Sequence, residues 1–119
     1  MERIKSFKQL NIWQKGIEEV KYVYEITKNF PRYELYGLTS QIRRAAVSIP
    51  SNIAEGFKRS HSNEYRQFLH IALGSAAELE TLLIIAKELG YMENNQLENI
   101  LEKIQNISKM ISSLLNKLK

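Results

Sequence analysis

One stretch of this chain, LTSQIRRAAVSIPSNIAEGFKR from Leu38 to Arg59, has apolar or small polar residues at nearly every position and constrains the fold most. One helical face follows from spacings of three and four, formed by Leu38, Ile42, Ala45, Ile49 and Ile53. A second face carries Arg43, Ala46, Val47, Pro50 and Ala54. A helix in a lone small bundle needs only one buried stripe. We therefore predict that Ala46, Val47, Pro50 and Ala54 form an interface between subunits.

The length and composition favour a single domain over residues 1–119. With 44% hydrophobic and 25% charged residues, the chain has the composition of a soluble globular protein. The absence of cysteine excludes disulfides and thiolate chemistry and fits a reducing compartment. The N-terminus lacks the apolar core of a signal peptide, and the longest apolar run, Leu82 to Ala86, is far too short to cross a membrane. These features predict a cytoplasmic protein with no membrane partner.

Hydrophobic periodicity predicts four helices. The first runs from about Leu10, capped by Asn11, to Asn29. Its predicted inward stripe is Trp13, Ile17, Val20, Tyr24 with Val23, and Thr27 with Ile26, and Glu19 is placed on the outside. The second is the stretch described above, kinked at Pro50. The third begins at the cap Ser62 and ends near Gly90. The small residue Gly74 in it predicts close approach of another helix, at the kink around Pro50. The fourth follows a cap at Glu93 or Asn94.

The fourth helix carries the clearest repeat in the chain. Apolar residues recur at alternating steps of three and four through Leu97, Ile100, Ile104, Ile107, Ile111, Leu114 and Leu118. Such a heptad seam is typical of left-handed helix packing. Short links between four helices predict an all-α, antiparallel up-down-up-down four-helix bundle.

The connector FPRYELYG, residues 30–37, is rich in aromatic residues. Phe30, Tyr33 and Tyr36 have two interpretations. They form a hydrophobic plug at one end of the bundle, or they form a platform on which bases stack beside Arg32.

No catalytic or metal-binding pattern occurs in the sequence. His61 and His70 are nine residues apart, so they do not form the i, i+4 pair of a helical metal site. Glu-x-x-His pairs and glycine-rich phosphate loops are absent, and Glu78 and Glu80 fall on different helix faces. We expect no enzyme activity, no cofactor and no metal.

The positive charge is concentrated in the middle of the chain. The net charge is +4, and five of the six arginines lie between residues 31 and 66. The candidate nucleic-acid-binding residues are Arg43, Arg44, Lys58, Arg59 and Arg66. The alternative is structural: Arg43 or Arg44 pairs with a carboxylate such as Glu55 of a neighbouring chain, and Lys58 and Arg59 are merely solvated.

The segments YGLTSQIRRAAVSIPSNIAEGFKR, EYRQFLHIALGSAAELETLL and LGYM together resemble a known family. This is the four-helix-bundle family of open reading frames in intervening sequences of bacterial 23S rRNA genes. The resemblance covers essentially the whole chain. One departure is Phe57-Lys58-Arg59 after the AEG motif, where the family usually has glycine and then arginine.

The resemblance implies partners that the residues alone do not. Members of the family resemble the accessory protein of diversity-generating retroelements, a homopentamer that binds nucleic acid and a reverse transcriptase. The resemblance therefore implies a homo-oligomeric ring of five copies that binds RNA or DNA. We expect the contacts to go to phosphate and not to base edges, so that binding is largely independent of sequence. An alternative is a scaffold or accessory subunit whose partner is a protein, such as a reverse transcriptase.

Overall fold

Four α-helices form the part of the chain that the computed structural model describes, residues 3–118. They are α1 (Asn11–Thr27), α2 (Leu38–Phe57), α3 (Ser62–Glu88) and α4 (Asn94–Lys117), and short 3₁₀ turns occur at Phe7–Gln9 and Arg32–Glu34. No strand occurs in these residues. The all-α prediction is confirmed, and α2 ends two residues before the predicted Arg59.

Contacts between consecutive helices give the antiparallel arrangement. Gly16 lies against Pro50, and Arg43 bonds to Thr27, so α1 and α2 run in opposite directions. Ser48 bonds to Ser75 across α2 and α3, and Arg66 bonds to Leu115 across α3 and α4. Because α4 also packs against α1, the four helices close into a bundle of 47 × 25 × 20 Å.

The buried face of α1 matches the predicted one only in the last turns, where Val23, Ile26 and Thr27 are buried as predicted. Ile12, Gly16, Glu19, Val23 and Ile26 are buried, whereas Ile17 and Tyr24 are exposed. The helix is thus rotated so that an acidic residue lies inside. We predicted that Glu19 lies outside because a carboxylate is almost never fully buried without a partner, and Glu19 is an exception to that rule.

Pro50 does not interrupt α2, which continues to Phe57. The side-chain amide of Asn52 donates to the backbone oxygen of Ser48 at 2.8 Å, inside the turn that contains the proline. The predicted close approach at Pro50 is made by Gly16 on α1, not by Gly74. No atom lies within 4 Å of a Cβ built on Gly74, so that glycine faces outward.

The predicted oligomer interface requires a correction. Ala46 and Pro50 are buried within the single chain, so neither is available for contact with another subunit. Ala54 is half-buried, and Val47 is 40% exposed. The second apolar face of α2 is therefore covered mainly by helices of the same chain, and Val47 is its most exposed member.

The ends of the helices follow from local chemistry. Glu93 caps α4 in a reciprocal arrangement with Gln96, as one of the two predicted caps. Gly90 ends α3 with a φ of +84°, and the amide of Tyr91 donates to the backbone oxygen of Ala86. Asn11 and Ser62 are the first residues of their helices rather than the caps that we predicted.

The aromatic connector is only partly a plug. Phe30 is buried and packs against Tyr91 with ring centroids 5.6 Å apart. Tyr33 and Tyr36 are 80% and 94% exposed. The hydrogen bonds that Tyr91 makes to Tyr33 and Glu34 raise the pKa of its phenol. Phe30 therefore closes the bundle, and Tyr36 stays open to solvent.

Helix α3 is apolar on more sides than the bundle covers. By length and composition it could cross a membrane, although one side of it packs against α2 and α4. The membrane prediction considered only the longest uninterrupted apolar run, which has five residues, and did not consider the apolar content of the whole helix. Its outer face, which we define as Ile71, Gly74, Ala77, Ile84 and Ile85, is exposed.

Candidate nucleic-acid interface

One end of the bundle carries the net positive charge of the described residues. The antiparallel fold brings together residues 3–10, 55–66 and 113–118, which we call the basic end. This end holds seven Lys and Arg residues and two Glu residues, whereas the rest of residues 3–118 holds nine and ten. The seven cations are Arg3, Lys5, Lys8, Lys58, Arg59, Arg66 and Lys117. This grouping differs from the basic middle of the sequence, because Arg32, Arg43 and Arg44 lie outside the basic end.

Arg66 has a structural role at this end. Its guanidinium donates to the backbone oxygens of Leu115 and Leu118, at 2.6 and 2.8 Å. These carbonyl groups belong to the last turn of α4, where the regular bonds to amides four residues on are missing; the Leu115 oxygen accepts one further bond, from the Leu118 amide at 3.3 Å. A cation also stabilises the negative end of the helix dipole. Arg66 therefore caps α4 and holds it against α3.

Arg59 makes side-chain contacts within the chain, whereas Lys58 is open to solvent. Arg59, two residues beyond the end of α2, bonds to Glu55 on that helix at 2.8 Å, and its guanidinium lies 4.8 Å from the ring centre of Phe68. The sequence suggested Glu55 as the partner of Arg43 or Arg44 from a neighbouring chain, but here Glu55 pairs with Arg59 of the same chain. Lys58 is exposed and forms no ion pair among the described residues. It is the better candidate for a phosphate contact.

Arg43 and Arg44 lie far from the basic end. Arg44 and Lys58 are fourteen residues apart on α2, which is about 21 Å along a helix axis. Arg43 donates to the hydroxyl of Thr27 at 2.9 Å and lies 4.5 Å from the ring centre of Tyr24. Arg44 is exposed. The structure thus separates the five predicted residues into two groups and assigns intramolecular contacts to Arg43, Arg59 and Arg66.

Beside Arg44 is an apolar recess of about 440 Å³, which we call the Tyr36 recess. Tyr36 and Val47 line it together with Tyr24, Leu35, Arg43 and Arg44. Its apolar walls remain open to solvent in the single chain. The predicted interface residue Val47 therefore belongs to a larger exposed surface that sequence reasoning did not delimit.

Glu19 is a second feature that the sequence did not reveal. Its side chain is 0% exposed, and neither carboxyl oxygen has a hydrogen-bond partner in the described protein. Burial raises the pKa of Glu19 to about 9, so the carboxyl group is protonated at neutral pH. In hindsight, the steps of four, three, four and three from Ile12 to Ile26 placed Glu19 in the buried stripe.

Metal chemistry finds no support in the described residues. No group of three or more His, Cys, Asp or Glu side chains in residues 3–118 has an arrangement that could hold a metal ion. The two histidines, His61 and His70, are both exposed.

The fold and its surface define a class: small four-helix-bundle proteins whose positive charge is gathered at one end. A family model described as 23S rRNA-intervening sequence protein matches residues 8–113, and the chain belongs to that family. The chain is also similar to a solved structure from Bacteroides thetaiotaomicron VPI-5482, described as a protein with unknown function from the S23 ribosomal protein family. The identity is 25%, the TM-score is 0.79, and the match covers 87% of this chain and 97% of that one. A search of curated proteins gives no match.

Proposed function

We propose that this protein binds RNA or DNA without catalysing a reaction, and that the basic end contacts the phosphate backbone. The observation that carries the proposal is the separation of charge: seven cations against two carboxylates at one end, and near balance elsewhere in residues 3–118. Contacts to phosphate release condensed counterions and are largely independent of sequence. The exposed lysines Lys5, Lys8, Lys58 and Lys117 make these contacts, and Arg66 supports them by holding α4 in place.

Salt-dependent binding to labelled single-stranded and duplex oligonucleotides tests this proposal. We expect affinity to fall steeply between about 50 and 200 mM salt. Replacing Lys8, Lys58 and Lys117 with Gln should weaken binding and reduce the magnitude of the log–log salt slope by about 2 to 3, since each lost phosphate contact removes about 0.9.

The matched control replaces Lys21, Lys28 and Lys87, which lie outside the basic end, with Gln. Both triple variants change the net charge equally, so a difference between them reports position and not total charge. No binding at low salt, or equal weakening by the two triple variants, would contradict the proposal.

We also propose that the chain assembles with copies of itself into a ring. Two exposed apolar surfaces favour assembly: the Tyr36 recess, which contains Val47, and the outer face of α3, where Ile71 is 51% exposed. Surfaces of this kind mark protein contacts. Five copies is the number implied by the family resemblance, and a ring of five would multiply the charge of the basic end.

A second candidate function is an accessory subunit for a nucleic-acid-processing enzyme such as a reverse transcriptase. The outer face of α3 favours it, because that face exposes Ile71, Ile84 and Ile85 and leaves Gly74 open to close approach. Purification of the tagged protein after nuclease treatment distinguishes the candidates. A polymerase that is recovered, and is lost on Ile71→Glu, supports the accessory role.

A further inference from the structure

Most of the exposed large apolar side chains in residues 3–118 lie on two surfaces of different shape. The first is the Tyr36 recess, a concave surface in which Leu35, Tyr36 and Val47 are exposed. The second is the outer face of α3, a convex helix surface on which Ile84 and Ile85 are 44% and 42% exposed. Helix α4 exposes no large apolar side chain. The two apolar surfaces are therefore suited to contact each other.

The two surfaces also carry opposite charge. The residues that line the Tyr36 recess include Arg43 and Arg44 and no carboxylate. Residues 67–88 of α3 hold three carboxylates and one cation, Lys87. Arg44 and Glu78 are both exposed, and neither forms an ion pair among the described residues. The recess is thus complementary in charge to α3, whereas contact of either surface with its own copy would bring like charges together.

Both surfaces lie at the same level along the bundle. Ser48 on α2 faces Ser75 on α3, with the two Oγ atoms 2.8 Å apart. Because these helices are antiparallel and each rises about 1.5 Å per residue, residues 38–47 lie level with residues 76–85. The second range includes the two exposed isoleucines of α3. A contact between two different patches at one level, repeated around an axis parallel to the bundles, closes into a ring and not into a filament.

We propose that the Tyr36 recess of one copy receives Ala77, Ile84 and Ile85 on α3 of the next copy, and that this one contact repeats around the ring. The inference rests on the proposed assembly and names the two surfaces that meet in it. Removal of apolar side chains from water drives the contact, and Arg44 pairs with the carboxylates of the neighbouring α3. Every copy in such a ring points the same way, so all the basic ends lie on one rim.

Mixing two single-surface variants tests which surfaces meet. Val47→Arg blocks the recess and leaves α3 intact, whereas Ile84→Arg combined with Ile85→Arg blocks α3 and leaves the recess intact. Each variant alone should sediment as a monomer in analytical ultracentrifugation, because every contact needs one surface of each kind. An equimolar mixture should give a one-to-one dimer and nothing larger, because one intact recess meets one intact α3.

Controls separate the contact from folding. Asn99→Arg places the same charge at an exposed position of α4 and should assemble as the wild type does. Circular dichroism of all variants should match the wild type, since the substituted side chains are exposed. Arg44→Glu in the recess and Ala77→Arg on α3 provide a second pair of variants, for which the same results are expected.

Spin labels measure how the two copies are oriented in the mixed dimer. The chain has no cysteine, so His61→Cys at the basic end gives one labelled site per copy. The separation between the labels should be close to the bundle width of 20 to 25 Å, because both basic ends lie at the same end of the dimer. A separation near the bundle length of 47 Å would mean that the copies are antiparallel and would overturn the proposal.

Three sedimentation results would overturn the proposal. A single-surface variant that dimerises alone would mean that a surface meets its own copy. A mixture that stays monomeric, beside a wild type that assembles, would mean that the ring uses other surfaces and would leave assembly itself intact. A monomeric wild type would overturn the ring and the pairing together, without affecting the salt-dependence test of nucleic-acid binding.

Discussion

Gly16 on α1 lies directly against the ring of Pro50 on α2, so closely that a Cβ atom on Gly16 would be 3.0 Å from the Cβ of Pro50. The proline ring is rigid and cannot move aside without shifting α2. The contact lets α1 and α2 approach closely at the proline, because a residue without a side chain faces the ring from the neighbouring helix.

Gly16→Ala should therefore destabilise the protein. The added methyl group gains about 1 kcal/mol of helix propensity, but overpacking a tight contact costs about 1–3 kcal/mol. We expect the free energy of unfolding, measured by urea denaturation, to fall by about 1 kcal/mol. Gly74→Ala is the matched control, and it should raise the same quantity by about 1 kcal/mol because no atom lies within 4 Å of the new Cβ. Equal effects of the two substitutions would contradict the Gly16–Pro50 contact.

Arg66 should contribute to stability as well as to charge. Arg66→Gln removes a cation that donates to two backbone oxygens at the end of α4. Because the side chain is only half-buried, we expect a loss of about 1–2 kcal/mol in the free energy of unfolding. Lys58→Gln, which changes the charge equally at an exposed site, should change it by less than about 0.5 kcal/mol.

Hydrogen exchange at the C-terminal turn of α4 locates the effect of Arg66. Amide protection there should decrease in Arg66→Gln and stay unchanged in Lys58→Gln. A stability loss without local loss of protection would argue against the cap. Arg66 is one of the candidate nucleic-acid-binding residues from the sequence. Variants that test nucleic-acid binding should nevertheless keep Arg66, because replacing it would also destabilise the end of α4.

The sequence predicted what depends on local periodicity. In α4 the heptad stripe from Leu97 to Ile111 is buried as predicted, and only the last turn differs, where Leu115 is buried and Leu114 is half-buried. In α1 two adjacent stripes are both rich in apolar residues, so the charge on Glu19 decided the prediction and decided it wrongly. Periodicity cannot choose between neighbouring stripes when the buried one contains a protonated acid.

The candidate site was harder to predict because its geometry depends on contacts between distant segments. Arg66 meets Leu115, 49 residues further along the chain, only because α3 and α4 are antiparallel. The sequence grouped Arg43 and Arg44 with Lys58 and Arg59 because all four lie in the basic segment 31–66. Helix α2 is long enough to carry Arg43 and Arg44 far from Lys58 and Arg59, which follow its last residue.

Assembly should depend on Val47 and not on Ala46. Val47→Arg places a charge in the exposed Tyr36 recess, so we expect smaller particles by analytical ultracentrifugation and a melting temperature of the monomer fold that is nearly unchanged. Ala46→Glu buries an unpaired charge in the core and should cost about 3–5 kcal/mol of folding stability. A wild-type protein that sediments as a monomer would contradict the ring, and dissociation by Ala46→Glu with full stability would contradict the burial of Ala46.

Glu19 should make the stability of the protein fall as the pH rises. Its pKa is about 9 in the folded protein and 4.5 as a reference for the unfolded chain. Between these values the folded state holds a proton that the unfolded state releases, so each pH unit lowers the free energy of unfolding by up to about 1.4 kcal/mol. Below pH 4.5 both states are protonated, and the contribution of Glu19 no longer changes with pH. Urea denaturation from pH 5.5 to 8.5 should therefore give a downward slope for the wild type that is absent in Glu19→Gln, with Glu25→Gln following the wild type. Parallel slopes for the wild type and Glu19→Gln would mean that Glu19 keeps its ordinary pKa in the folded protein and is exposed to solvent.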